Sequence, residues 1–92
     1  MTILDEAAKI VTGQRREDYG GVQESFGRIA GMWSAYLGVE LGPQDVSMMM
    51  ALLKIARAKA GINANGEPQH DSLVDIAGYA ACCEMLDAET ED

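Results

Sequence analysis

Two aspartates, Asp71 and Asp75, are spaced four residues apart in a segment with helical periodicity. Because one helical turn separates them, both carboxylates lie on one face. Gly78 follows on the same face and leaves room beside them. Two carboxylates at this spacing can hold a hard divalent cation such as Mg²⁺. In the structural alternative, Asp71 stabilises the amino end of its helix and Asp75 pairs with Lys54 or Arg57.

The two cations Lys54 and Arg57 interrupt a preceding helix that is otherwise apolar. Arg offers a planar fork to a phosphate and Lys offers a point charge, so the pair suits an anionic ligand. The alternative is that both side chains extend to solvent or neutralise Asp75. His70, which precedes Asp71, is a third candidate contact for the anion, although a single His at a helix start is also a common surface residue.

A glycine-containing loop between the first two predicted helices carries both charge signs and an aromatic ring. Its residues Arg15, Arg16 and Tyr19 have the chemistry to bind phosphate and to stack on a base. The alternative is a solvated turn with Tyr19 folded onto the bundle. Glu24 and Asp45, each near a helix start, are candidates to add carboxylates to a metal site formed with Asp71 and Asp75.

The length of 92 residues indicates one small domain, residues 1–92, with an acidic, frayed tail from about residue 89. The formal net charge of −8 argues against non-specific binding to nucleic acid, which requires a basic surface. No apolar run reaches the length of a membrane span, about 20 residues. The first residues carry acids where a secretory signal would carry bases, so we expect a cytoplasmic protein.

Apolar residues recur with helical spacing throughout, which predicts an all-α fold, a four-helix bundle. The expected helices are residues 3–12, 22–37, 43–60 and 70–88, and Gly61 is expected to end the third. That third helix is apolar on two faces, so we predict that it is the central helix. It also has more apolar surface than three short neighbours can cover, which predicts a homo-oligomer, most simply a dimer. The alternative is a monomer with a Met-rich core.

Several segments together resemble a group of small bacteriophage proteins of uncharacterised function. They are Tyr19-Gly20, Trp33, Leu53-Lys54-Ile55-Ala56-Arg57 and the stretch from Asp71 to Tyr79. This group looks similar to the MazG-like, all-α nucleoside triphosphate pyrophosphohydrolases. That resemblance implies a MazG-like helical bundle, usually dimeric or tetrameric, that hydrolyses nucleoside triphosphates to monophosphate and pyrophosphate with Mg²⁺.

The resemblance also implies where the metal ligands should lie. In the superfamily a Glu-x-x-Glu motif on one helix and a Glu-x-x-Asp motif on the next hold Mg²⁺, and Asp75 matches the final acid. Ser72 stands where the second motif has Glu, with Asp71 one position earlier. The third helix carries no Glu, and its matching strip has Lys54 and Arg57. The metal site is therefore degenerate.

Three hypotheses follow. In the first, the chain is a Mg²⁺-dependent hydrolase with Asp71 and Asp75 as catalytic and metal-binding residues. In the second, it is a non-catalytic nucleotide binder that regulates nucleotide pools or sequesters a host signalling nucleotide. In the third, it is an oligomeric interaction protein whose charges form an internal network.

Overall fold

The computed structural model describes residues 2–13 and 21–90, with side chains described up to residue 86. Over these ranges the chain forms four helices and no strand, which confirms the all-α prediction. The helices are α1 (Ile3–Thr12), α2 (Val22–Leu37), α3 (Pro43–Asn65) and α4 (His70–Thr90). Within the described part of the chain, no helix combines the length and apolarity that crossing a bilayer requires.

The starts of α1 and α3 use short polar side chains as capping groups. Thr2 Oγ1 accepts a hydrogen bond from the Asp5 N–H, and Asp5 Oδ2 accepts one from the Thr2 N–H, both at 3.2 Å. At the start of α3, Asp45 Oδ2 accepts a 2.8 Å hydrogen bond from the Gly42 N–H, with Pro43 in the first turn. These contacts satisfy amide groups that have no partner within the helix.

The predicted end of α3 at Gly61 is wrong, because the helix continues to Asn65 and ends at Gly66 with φ of 81°. Gly61 has a different role. A Cβ atom built there would lie 3.0 Å from both the Gln69 nitrogen and the Glu67 oxygen. The chain therefore turns back so close to α3 that a side chain at this position would collide with backbone.

The helix α4 is the central element, since it packs against α1, α2 and α3. The prediction that α3 would be the central helix is therefore wrong. Only its inner face is covered by α2 and α4, while Met48, Leu52 and Ile55 on its outer face remain exposed. Among the residues whose side chains are described, the buried apolar core is small and consists of Ala7, Ala30, Val46, Ala58, Val74, Cys82 and Leu86.

A buried hydrogen bond ties α3 to α4. Ser47 is fully buried, and its Oγ donates to the Tyr79 carbonyl oxygen at 2.6 Å. Seven residues later on α3, Lys54 reaches Asp75, which is four residues earlier on α4. A contact later on α3 is thus made with a residue earlier on α4, so the two helices are antiparallel. Their short connection requires this arrangement.

Candidate functional site

A polar hollow of about 380 Å³ lies between the second half of α3 and the amino end of α4. The antiparallel pairing of the two helices brings their charged residues to the same place. The hollow is lined by Lys54, Arg57, Gln69, His70, Asp71, Ser72 and Asp75. Five residues singled out from the sequence, namely Lys54, Arg57, His70, Asp71 and Asp75, are thus brought together.

Lys54 and Asp75 form an ion pair across the α3–α4 contact, with Lys54 Nζ 3.1 Å from Asp75 Oδ2. Their side chains are only 20% and 24% exposed. Reduced contact with water strengthens the attraction compared with a surface pair, although desolvation offsets part of the gain. The structural alternative for Asp75, pairing with a cation of the preceding helix, is therefore present in the structure.

Arg57 lies one turn beyond Lys54 on the rim of the hollow and is exposed. Within the described part of the chain it has no acidic partner. Its guanidinium group therefore presents its N–H donors to the hollow and to solvent. A planar fork of this kind matches two oxygens of a phosphate group.

His70 contacts α1 as well as the hollow. Its Nε2 atom lies 2.6 Å from Oε2 of Glu6, which is 64 positions earlier in the chain. This contact connects α1 to the amino end of α4 and orients the imidazole ring. No local sequence pattern marks Glu6, because the contact depends on how α1 packs.

Gln69 and Ser72 also line the hollow, and sequence reasoning did not select them as ligand contacts. Ser72 is buried, and its Oγ donates to Gln69 Oε1 at 2.8 Å. Ser72 lies three residues before Asp75, so helical spacing places both on one face. This three-residue spacing from Asp75 is the sequence signal that marks Ser72 as a candidate for the site.

The four acids predicted for a metal site do not come together. Glu24 pairs with Arg28 on α2 at 3.2 Å, and Asp45 accepts the hydrogen bond from Gly42 at the start of α3. Among the described residues, no group of three or more His, Cys, Asp or Glu side chains could hold a metal ion. Asp71 and Asp75 alone, with a lysine bound to Asp75, do not fit Mg²⁺, which prefers several oxygen ligands in octahedral geometry.

The loop residues predicted to cover a ligand, Arg15, Arg16 and Tyr19, lie outside the described residues. Their proposed contacts with phosphate and base stay predictions.

A second, largely apolar cavity of about 450 Å³ lies among α1, α2 and α4. Two aromatic rings contribute to it, Phe26 and Tyr79, with centroids 6.2 Å apart. Gly78 forms part of its wall, and Ser25, Arg28 and Asp75 add polar groups. Asp75 lines both this cavity and the polar hollow. A single carboxylate therefore borders two spaces of different chemistry.

A family model described as a domain of unknown function, DUF6378, matches residues 2–87. This chain belongs to the DUF6378 family. The family's description states no activity, so the link to pyrophosphohydrolases stays a prediction. No solved structure matches the chain at a significant level.

Two curated relatives of this DUF6378 chain are bacteriophage proteins, which agrees with the resemblance to a phage group. The chain is 51% identical over 87 residues to the Gene 55 protein of Mycobacterium phage L5, covering 94% of this chain. It is 42% identical over 86 residues to the Gene 55 protein of Mycobacterium phage D29, covering 92% of this chain. In both cases the match spans 53% of the relative, so the chain corresponds to about half the length of these proteins.

Proposed function

We propose that this chain binds a nucleotide through direct contacts with its side chains and without a resident metal ion. The observation that carries the proposal is the position of Asp75, which borders both the polar hollow and the apolar cavity. A nucleotide has the same two-part character, since it joins an anionic phosphate chain to a planar, largely apolar base. One molecule extending past Asp75 would contact both spaces.

The phosphate end is assigned to the polar hollow. Arg57 offers a guanidinium group without an acidic partner in the described chain, and Lys54 supplies a second positive charge. The amino end of α4 adds the positive end of a helix dipole to the same space. Arg57 would bind phosphate oxygens directly, whereas Lys54 would share its charge between phosphate and Asp75.

The base is assigned to the apolar cavity, which has a volume typical of small-molecule sites. The rings of Phe26 and Tyr79 provide aromatic surface against which a planar base can pack. Asp75 holds Lys54 through Oδ2 and retains further lone pairs that can accept a hydrogen bond from a base N–H group. The mixture of cations and carboxylates thus matches a ligand that brings both phosphate oxygens and N–H donors.

A second candidate is a structural charge cluster with no ligand. The Lys54–Asp75 ion pair favours it, because the charges of these two residues already neutralise each other. In that case Arg57 and His70 would be surface residues, and the protein would act through contacts with other macromolecules.

Thermal denaturation with a panel of nucleoside triphosphates distinguishes the two candidates. The panel is measured in EDTA and again with Mg²⁺, and pyrophosphate release is followed in parallel. Stabilisation in EDTA without pyrophosphate release supports nucleotide binding, and loss of that stabilisation in Arg57→Ala assigns it to the polar hollow. Lys59→Ala is the matched control, because Lys59 is an exposed cation of α3 that does not line the hollow. The absence of any shift with every nucleotide supports the structural cluster.

A further inference from the structure

The outer face of α3 carries a row of exposed apolar side chains that is interrupted by one cation, Lys59. Met48, Leu52, Ile55 and Ile62 are all substantially exposed, with Leu52 at 64%. Together with Lys59 they occupy positions 48, 52, 55, 59 and 62, a spacing of four, three, four and three residues. This spacing is typical of the seam between two packed helices.

A second apolar row runs beside the first, formed by Met49, Leu53, Ala56 and Ala60, which are also exposed. Neither row contains an acid, although the chain has fifteen Asp and Glu residues. An exposed helix face in a small acidic protein normally carries charged side chains. The face defined by these two rows, residues 48–62, has the composition of a buried surface.

The total surface supports the same view. A monomeric protein of this mass, 9.9 kDa, exposes about 5,200 Å² on average. This chain exposes 6146 Å². The difference of about 900 Å² belongs to the whole surface, to which exposed apolar residues outside α3 such as Met32 and Tyr36 also contribute. It is as large as the roughly 800 Å² that each partner buries in a standard protein interface.

We infer that the 48–62 face of α3 is a symmetric homodimer interface in which α3 packs antiparallel against α3 of a second copy. A twofold axis at Ile55 places Met48 of one copy opposite Ile62 of the other. The single charge of the first row, Lys59, lies four residues after the axis and is nearest in level to Leu52 of the other copy, three residues before the axis. The two Lys59 ammonium groups therefore stay apart. A parallel pairing would bring them together, and like charges at a buried seam destabilise it. The charge on this face therefore allows two copies to pair in the antiparallel orientation and opposes the parallel one.

The inference is independent of the proposed nucleotide site, because the residues of the two rows do not line the polar hollow or the apolar cavity. It would also complete the bundle, since the second copy covers the one face of α3 that α2 and α4 leave open.

The first test is the mass in solution, measured by sedimentation velocity. The wild-type chain is expected at twice 9.9 kDa, and Leu52→Glu is expected at the mass of one chain, because it adds two carboxylates to the seam. Leu4→Glu is the matched control, since Leu4 is 69% exposed on α1, and it is expected to remain a dimer. Circular dichroism of both variants confirms that each is folded. A monomeric wild type, or a Leu52→Glu variant that remains dimeric, overturns the inference.

The second test is the orientation of the pair. Ile55→Cys and Met48→Cys are each treated with a short thiol-specific cross-linker, and the wild type gives the background from Cys82 and Cys83. In the antiparallel pair only position 55 meets its own copy, so Ile55→Cys is expected to cross-link efficiently and Met48→Cys to stay at background. Equal cross-linking at both positions contradicts the antiparallel arrangement.

Discussion

Lys54 Nζ lies 3.1 Å from Asp75 Oδ2, and Asp75 is the residue that the polar hollow and the apolar cavity have in common. The ion pair therefore connects α3 to α4 at the place where the two spaces meet. Nucleotide binding without metal and metal-dependent hydrolysis assign opposite roles to Asp75, which makes it the most informative position for substitution.

Asp75→Asn tests the role of this carboxylate toward an anion. Removing a negative charge beside Lys54 should make inorganic pyrophosphate bind more tightly in EDTA, by about fivefold for an interaction of about 1 kcal/mol. Isothermal titration calorimetry measures the change. If Asp75 instead holds a metal that binds the phosphate, the same substitution will weaken binding, and binding of the wild type will require Mg²⁺.

The apolar cavity can be tested separately from the polar hollow through Gly78. Gly78→Met places a long side chain into the cavity and should weaken binding of a nucleoside triphosphate at least tenfold. Pyrophosphate, which has no base, should bind as it does to the wild type. An equal loss for both ligands would show that the substitution acts on the whole fold, and no loss for either would remove the cavity from the site.

Two helical glycines should respond in opposite ways to alanine. A Cβ at Gly61 meets backbone atoms at 3.0 Å, whereas a Cβ at Gly78 meets only Val11 Cγ1 at 3.7 Å, an ordinary contact. We expect Gly78→Ala to stabilise the protein by about 0.5–1 kcal/mol, the usual gain of Ala over Gly in a helix. Gly61→Ala should be destabilising because the 67–69 backbone must move. Urea denaturation of both variants checks the pair, and a more stable Gly61→Ala protein would refute the close approach.

The buried Ser47 hydroxyl should contribute measurably to stability. Ser47→Ala leaves the Tyr79 carbonyl without this donor and should reduce the free energy of unfolding by about 1–2 kcal/mol. Ser34→Ala is a comparison at a half-buried position, where Ser34 Oγ donates to the Ala30 oxygen at 2.6 Å and accepts from the Leu41 N–H at 2.9 Å. Urea denaturation measures both. A Ser47→Ala variant as stable as the wild type would show that the hydrogen bond contributes nothing.

The helices could be predicted from sequence where the relevant signals are local. Thr2 and Asp5 form a capping pair, and Gly38 adopts φ of 73° at the end of α2, so the bounds of α1 and α2 follow from residues within a few positions. The end of α3 could not be predicted in this way. Gly61 has the residue type of a helix stop, but it is required by contact with residues 67–69, which is tertiary information.

In the candidate site, too, the features set by local spacing could be predicted and those set by tertiary packing could not. Helical spacing and a short connection between antiparallel helices bring Lys54 and Arg57 to Asp71 and Asp75, and all four line the hollow. The contact between Glu6 and His70 could not be foreseen, because it depends on the packing of α1 against α4. Nor could the apolar cavity, since it requires three helices to meet. Only their position near helix starts makes Glu24 and Asp45 candidates, and their carboxylates are satisfied locally by Arg28 and by the Gly42 N–H.

The central claim is that a nucleotide binds at the polar hollow without metal, and calorimetric titration of a nucleoside triphosphate in EDTA tests it most directly. We expect saturable binding to the wild type and to Lys59→Ala, with at least a tenfold loss of affinity in Arg57→Ala. Absence of binding to the wild type across the nucleotide panel, or equal affinity in Arg57→Ala and Lys59→Ala, would contradict the claim.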